Sequence, residues 1–142
     1  MAKKDFKTLE LDPKYVPKKA EEYMGDMQKA YFYRLLEGQR EELVASMDDI
    51  MNAINTGKKN DMAIGDETDS SNFDIEAEMQ LRLHQRSLNL LKKIDSAMER
   101  LEKGTFGYSV VSSEEIGIKR MLARPLATLT LEEQEETEKR EQ

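Results

Sequence analysis

Apolar residues recur at heptad spacing along the first half of the chain. Between residues 20 and 56 they follow one stripe, with Arg40 filling the remaining seam position: Leu36, Leu43, Met47, Ile50 and Ile54. Steps that alternate between four and three residues place side chains on one face of an α-helix. The pattern therefore predicts a first long helix, and Gly38 marks a point where it could divide in two.

A second stripe of the same spacing ends near residue 103: Leu83, Ser87, Leu90, Ile94, Ala97 and Leu101. The polar segment 55–72 between the stripes contains Gly57 and Gly65 and predicts a turn. Residues 69–72 are all favourable N-caps, so the second helix should begin among them, and Gly104 suits its end. Two such helices joined by a turn predict an antiparallel hairpin, a coiled coil.

The two ends of the chain predict different structures. Residues 1–19 contain Pro13 and Pro17 and predict an extended or loosely attached arm. Residues 105–142 predict a small globular base, with two short apolar runs forming a β-ribbon and a closing helix that Thr130 could cap. The predicted fold is mainly α, with a hairpin over residues 20–104, its tip near 57–71, on that base.

Composition excludes several kinds of site. The chain has no cysteine and one histidine, His84, which excludes disulfides and thiolate metal sites. We expect His84 to be exposed or to lie at the rim of the helix interface. A net charge of −7 argues against a dedicated DNA-binding domain, and no uncharged apolar run approaches the ~18 residues of a membrane span. With no catalytic motif in view, we expect a cytoplasmic, non-enzymatic protein.

One segment near the C-terminus carries a specific resemblance. The stretch "GYSVVSSEEIGIKRMLARP", residues 107–125, resembles the zinc-finger end of the DksA/TraR family, G-Y-C-x-x-C-G-x-E-I-G-x-x-R-L-x-A-R-P. The family's four cysteine positions hold other residues here: Ser109, Ser112, Thr130 and Glu133. Hydroxyls and one carboxylate are a poor zinc set. The resemblance thus implies a degenerate, zinc-free version of the base.

The resemblance also implies a function at the hairpin tip. Members of the family bind RNA polymerase and insert an acidic tip into its secondary channel, where carboxylates approach the catalytic magnesium. "DETD" carries the corresponding acids, Asp66 and Asp69. Ser71 departs from the family, which has alanine at that position. The competing interpretation is that both aspartates only cap the second helix.

A second set of residues is implied to meet the polymerase rim and to help bind guanosine tetraphosphate (ppGpp). Its members are Leu90, Lys93, Arg120 and Arg124, with Arg86 a further candidate. Arginine and lysine both suit phosphate. Gln134 replaces a further basic residue of the family, which should weaken nucleotide binding. Alternatively, the two arginines form ion pairs with Glu114, Glu115 or the acidic tail, and Leu90 packs in the seam.

Together these features predict a monomeric transcription regulator that acts with ppGpp in the stringent response, without direct DNA or membrane binding. Two other functions stay open. A Gre-like transcript-cleavage cofactor would use its acidic tip to recruit a second magnesium ion. A coiled-coil adaptor unrelated to polymerase would require only the heptads and should form stable oligomers.

Overall fold

The computed structural model of the protein describes residues 6–64 and 67–141, apart from the side chains of residues 57–64, 67–71 and 73. A short 3₁₀ turn, Phe6–Thr8, precedes four helices: α1 (Asp26–Ile64), α2 (Glu67–Lys103), α3 (Ile118–Ala123) and α4 (Leu131–Glu141). The chain divides into two compact units, one of Met1–Gly38 with Ile94–Gln142 and one of Gln39–Lys93. The predicted mainly α fold with a two-helix hairpin is confirmed.

The helices reach closer to each other along the chain than predicted. α1 continues through Gly38 and Gly57 to Ile64, and α2 begins at Glu67, upstream of the caps expected at residues 69–72. A single glycine costs a helix only about 1 kcal/mol, and extending a helix is far easier than nucleating one. The broad turn predicted over residues 55–72 is therefore wrong.

The seam of α2 follows a different register from the predicted one. Three of its predicted residues are at most 1% exposed: Ile94, Ala97 and Leu101. Leu83 and Leu90, however, are 44% and 40% exposed, while His84 and Leu91 are half-buried. An α-helix turns every 3.6 residues, so a strict heptad stripe drifts by about 20° per repeat. His84, expected to be exposed or at the rim, is half-buried, which fits a rim position.

The N-terminal arm packs against the first unit. Phe6 lies edge-on to Tyr33, with ring centroids 5.8 Å apart. Lys7 pairs with Glu102 of α2, and Pro17 is buried. Of the two alternatives predicted for this segment, loose attachment is wrong, because Phe6 and Lys7, which precede both prolines, have partners on α1 and α2.

The core of the first unit gathers around Phe32, whose side chain is fully buried. Its ring lies 5.2 Å from that of Phe106, which follows α2. Leu36, Leu101 and Met121 are further fully buried side chains of this unit. Full burial of each such side chain stabilises the folded state by roughly 1.5–3 kcal/mol. Apolar side chains of α1, α2, α3 and the segment after α2 therefore form one core.

The predicted β-ribbon does not form. Within the described residues there is no strand, and residues 108–115 meet only in an isolated antiparallel bridge between Tyr108 and Glu115. The chain between them turns too tightly for a ladder. Ser109 N–H donates to the Glu114 carbonyl at 2.8 Å, and Ser113 N–H donates back to the Ser109 carbonyl at 3.0 Å.

Tyr23 joins the segment before α1 to this turn. Its hydroxyl donates to the Gly107 carbonyl and accepts the Gly117 N–H at 3.0 Å. The close approach needs glycine at 107, since an added Cβ would lie 2.8 Å from Met24 Cε and 2.9 Å from the Tyr23 hydroxyl. Gly107 also has φ +87°, which other residues rarely adopt. Two glycines of the family motif are thus contacts of one tyrosine.

Across the part of the chain that the structure covers, no helix combines the length and apolarity that a membrane span requires.

Replacing two glycines by alanine should have opposite effects. Gly107→Ala should lower the free energy of unfolding by about 1–3 kcal/mol or more, because it adds backbone strain and a steric overlap. Gly38→Ala, where nothing lies within 4 Å of the added methyl group, should raise it by roughly 0.5–1 kcal/mol. Urea unfolding of both variants measures the difference, and equal effects would contradict the Tyr23 contact.

Candidate functional site

The acidic residues proposed for the tip are Asp66 and Asp69. Asp66 is outside the described residues. Asp69 and Ser71 belong to the first turns of α2, but their side chains are outside the description. Their role at the tip stays a prediction.

The four positions that hold cysteine in the DksA/TraR family come together in the first unit. Thr130 and Glu133 form a capping box at the start of α4. The Thr130 N–H donates to Glu133 Oε1 at 2.9 Å, and the Glu133 N–H donates to Thr130 Oγ1 at 3.2 Å. The helix cap predicted at Thr130 is confirmed. Hydrogen bonding of the Glu133 carboxylate with the Ser109 hydroxyl, and then with the Thr130 N–H, lowers the Glu133 pKa from 4.5 to about 2.

The two serines shape the turn that faces this carboxylate. Ser109 is 3% exposed, and its Oγ accepts the N–H groups of Val111 at 3.1 Å and Ser112 at 3.2 Å. Ser112 Oγ accepts the Glu114 N–H at 3.4 Å and contributes a smaller hydrogen bond to Glu133. Serine thus turns the backbone here and also binds the carboxylate, which links the turn to α4.

These four side chains do not fit a zinc ion. Structural zinc sites use thiolate sulfur and imidazole nitrogen, whereas this set is three hydroxyls and one carboxylate, and Ser109, Thr130 and Glu133 accept hydrogen bonds from backbone N–H groups around them. Among the described residues there is also no group of three or more His, Asp or Glu residues arranged to hold a metal.

The residues proposed for the polymerase rim are distributed over both units. Leu90 and Lys93 belong to the second unit and are exposed on α2. Arg120 and Arg124 belong to the first. Arg120 Nε donates to the Leu129 carbonyl at 3.1 Å, so its guanidinium is tied to the segment before α4. The ion pairs with Glu114 or Glu115 considered from the sequence are not formed by these two arginines within the described residues.

Arg124 presents an exposed side chain beside a constrained backbone. It ends α3 with φ −136° and ψ 82°, and its N–H donates to the Arg120 carbonyl at 2.7 Å. The non-helical conformation is the one that Pro125 favours in the preceding residue. No partner of its guanidinium is found in the described part of the chain. Arg124 is therefore the arginine of the pair that is available to a phosphate.

Sequence reasoning missed a row of exposed apolar side chains on α2. Ile75, Met79, Leu83 and Leu90 are 61%, 59%, 44% and 40% exposed. Their spacing, in steps of four and seven, keeps them close to one helix face. The signal was present, because Ile75 and Met79 precede Leu83 at four-residue intervals, but the heptad interpretation assigned Leu83 and Leu90 to the seam. Rows of this kind commonly mark contact surfaces.

Comparison with known proteins gives consistent likenesses. Residues 28–101 match the family described as DnaK suppressor protein DksA, N-terminal domain. The RNA polymerase-binding transcription factor DksA of Caulobacter vibrioides is 33% identical over 127 residues, covering 89% of this chain and 87% of its own. Its counterpart from Escherichia coli K12 is 34% identical over 118 residues, covering 83% and 76%. The solved structure of transcription factor DksA2 from Pseudomonas aeruginosa is 39% identical and superimposes with a TM-score of 0.77, covering 84% of this chain and 89% of that one.

The Glu133 carboxylate should make stability depend on acid pH. Its pKa is lowered in the folded state, so its contribution is fully present above about pH 4.5 and is lost as the pH falls toward about 2. Glu133→Gln should lower the melting temperature at pH 7 and flatten its decline over that window. Thermal melts from pH 7 to pH 2 test this, with Glu135→Gln on the exposed part of α4 as the matched control. Identical pH profiles for wild type and Glu133→Gln would refute the carboxylate link.

Proposed function

The chain belongs to the DksA family, and we propose that it is a transcription factor that binds RNA polymerase, entering through the secondary channel to modulate initiation. The proposal rests on the extent of the sequence similarity. The relatives that are named for RNA polymerase binding align with most of this chain, and the alignments also cover most of the relatives' own length. In this proposal the protein acts on RNA polymerase and has no catalytic activity of its own.

The hairpin supplies the proposed means of entry. Helix α1 ends at Ile64 and α2 begins at Glu67; in the sequence Asp66 directly precedes α2, and Asp69 belongs to its first turn. Carboxylates held on a helical hairpin can approach a cation or basic groups within a confined channel. The tip thus acts near the polymerase active site, and the remainder of the protein provides the docking area.

The exposed apolar row on α2 supports a protein partner. Ile75, Met79, Leu83 and Leu90 form a contact surface, and Lys93 adds an exposed positive charge one turn beyond Leu90. Exposed apolar side chains bordered by charge are common at protein interfaces. We assign this face of α2 to the polymerase.

Nucleotide response is proposed to depend mainly on Arg124. The Arg120 guanidinium already binds the Leu129 carbonyl, and Gln134 brings no charge. Lys93 and Arg124 remain as exposed basic side chains of the rim set. A phosphate of ppGpp at the polymerase rim would therefore draw on fewer cations than the family usually offers, so the response should be weaker and less redundant.

A pull-down with core RNA polymerase, repeated with the secondary channel blocked, tests the proposal. Retention that is lost on blocking supports channel entry. Retention that survives blocking overturns it. Absence of retention, together with a stable dimer in light scattering, would favour the coiled-coil adaptor, and stimulated cleavage of stalled transcripts would favour a Gre-like cofactor.

Asp69→Asn should remove most of the effect on transcription and leave polymerase binding nearly unchanged. The swap keeps the side chain's size and its ability to cap a helix but removes the charge proposed to act in the channel. Paired binding and in vitro transcription assays measure the two quantities. Asp74→Asn, an exposed residue further along α2, is the control, and full regulation by Asp69→Asn would contradict the tip assignment.

Arg124→Ala should weaken the response to ppGpp by about tenfold or more, since a charge-assisted hydrogen bond contributes about 1.5–3 kcal/mol. The exposed guanidinium has no internal partner to lose within the described residues, so the melting temperature should change little. Titration of ppGpp in a transcription assay, beside a thermal melt, measures both. Arg140→Ala on α4 removes the same charge as a control. An unchanged response with a lower melting temperature would assign Arg124 an internal role instead.

A further inference from the structure

A cavity of about 510 Å³ lies at the C-terminal end of α2, within the first unit. Arg100, Thr105, Tyr108, Val110 and Ser113 line it, with contributions from Gly104 and Ser109. Its volume is in the range of small-molecule sites. None of the residues proposed for the tip or the polymerase rim borders it, and neither does any carboxylate.

Arg100 is the unusual member of this lining. Its Nη1 atom is buried and has no hydrogen-bond partner, while its Nε is 3.5 Å from the Ser96 carbonyl, at the limit of a hydrogen bond. Burial lowers the pKa of the guanidinium. The neighbouring acids are engaged elsewhere, Glu99 with Lys103 and Glu102 with Lys7. Only Nη1 of the guanidinium is buried; Arg100 as a whole is half-buried and lines the cavity, where an anion would pair with its charge.

The chemistry of the lining favours a tetrahedral oxyanion. A guanidinium offers up to five N–H donors in a planar fork that matches phosphate, and hydroxyl groups of Thr105, Tyr108 and Ser113 can add neutral donors. A cation in the lining without any carboxylate selects negative charge. Arginine binds phosphate and carboxylate alike, but several hydroxyls around it suit the larger number of acceptor oxygens on phosphate.

The volume and the apolar lining of the cavity indicate that the ligand also has an organic group. An inorganic phosphate would fill only a fraction of about 510 Å³. The Tyr108 ring and the Val110 side chain, which is 62% exposed, offer apolar surface beside Arg100. We propose that this cavity binds a small aromatic phosphate ester, with its phosphate on Arg100. The proposal goes beyond polymerase binding and does not depend on it.

Isothermal titration of the full-length protein tests the assignment with phenyl phosphate, inorganic phosphate and benzoate as probes. Phenyl phosphate should bind most tightly, inorganic phosphate more weakly because it lacks the apolar part, and benzoate more weakly because it lacks the tetrahedral group. Arg100→Gln should weaken phenyl phosphate binding by about tenfold or more, Arg100→Lys by less. Arg140→Gln, which removes an exposed arginine of α4, should bind as wild type does.

Thermal melts without ligand distinguish a ligand-binding role of Arg100 from a structural role. If Arg100 is held ready for an anion, Arg100→Gln should melt at the same temperature or higher, because it removes a half-buried charge whose Nη1 has no hydrogen-bond partner. A lower melting temperature for Arg100→Gln with unchanged phenyl phosphate binding would overturn the proposal in favour of a structural arginine. Equal weakening by Arg140→Gln, or benzoate binding as tight as phenyl phosphate, would overturn the phosphate assignment.

Discussion

The Glu133 carboxylate lies where two segments of the base meet, the Ser109 turn and the first turn of α4. It accepts the Thr130 N–H at 2.9 Å, and the neighbouring Ser109 hydroxyl stabilises its charge and lowers its pKa. The resemblance to the DksA family implies cysteines in these two segments, and a small base normally requires a metal or disulfide because its own core is limited. Here a charged acceptor lies between them, and the Val110 N–H bond to the Thr128 carbonyl at 3.0 Å adds a backbone connection.

A second anchor, Tyr23, ties the same turn to the start of α1. Its hydroxyl contacts Gly107 and Gly117 on either side of the turn, and its ring lies edge-on to Tyr108 at 5.5 Å. The same unit contains three arginines that differ in their contacts. Arg120 Nε donates to the Leu129 carbonyl, Arg124 is exposed after α3, and Arg100 lines a cavity next to Tyr108. The three arginines therefore lie in different surroundings.

Part of the site could be predicted from the identities of its residues alone. The four former cysteine positions could be recognised from the G-x-E-I-G and A-R-P motifs, and their unsuitability for zinc follows from side-chain chemistry. That the same residues would bind one another was not foreseeable, although the T-x-x-E spacing of Thr130 and Glu133 is a capping-box signal. The cavity at Arg100 left no sequence signal, because its residues come from α2 and from the turn after it, and an unpartnered guanidinium is a property of its surroundings.

By itself, the sequence determined the two long helices, the helix end at Gly104, the cap at Thr130 and the family motif, because spacing, capping and glycine chemistry are local. Tertiary structure decided which face of α2 is buried. Leu83 and Leu90 fit a heptad as well as Ile94 does, but burial depends on what packs opposite each position, and a stripe drifts around a 3.6-residue helix. It also decided the attachment of the arm and the absence of a ribbon. Phe6 and Lys7 meet residues distant in sequence, and the turn at Ser109 is fixed to the segment before α4 by the Val110 N–H bond to the Thr128 carbonyl, which no local pattern encodes.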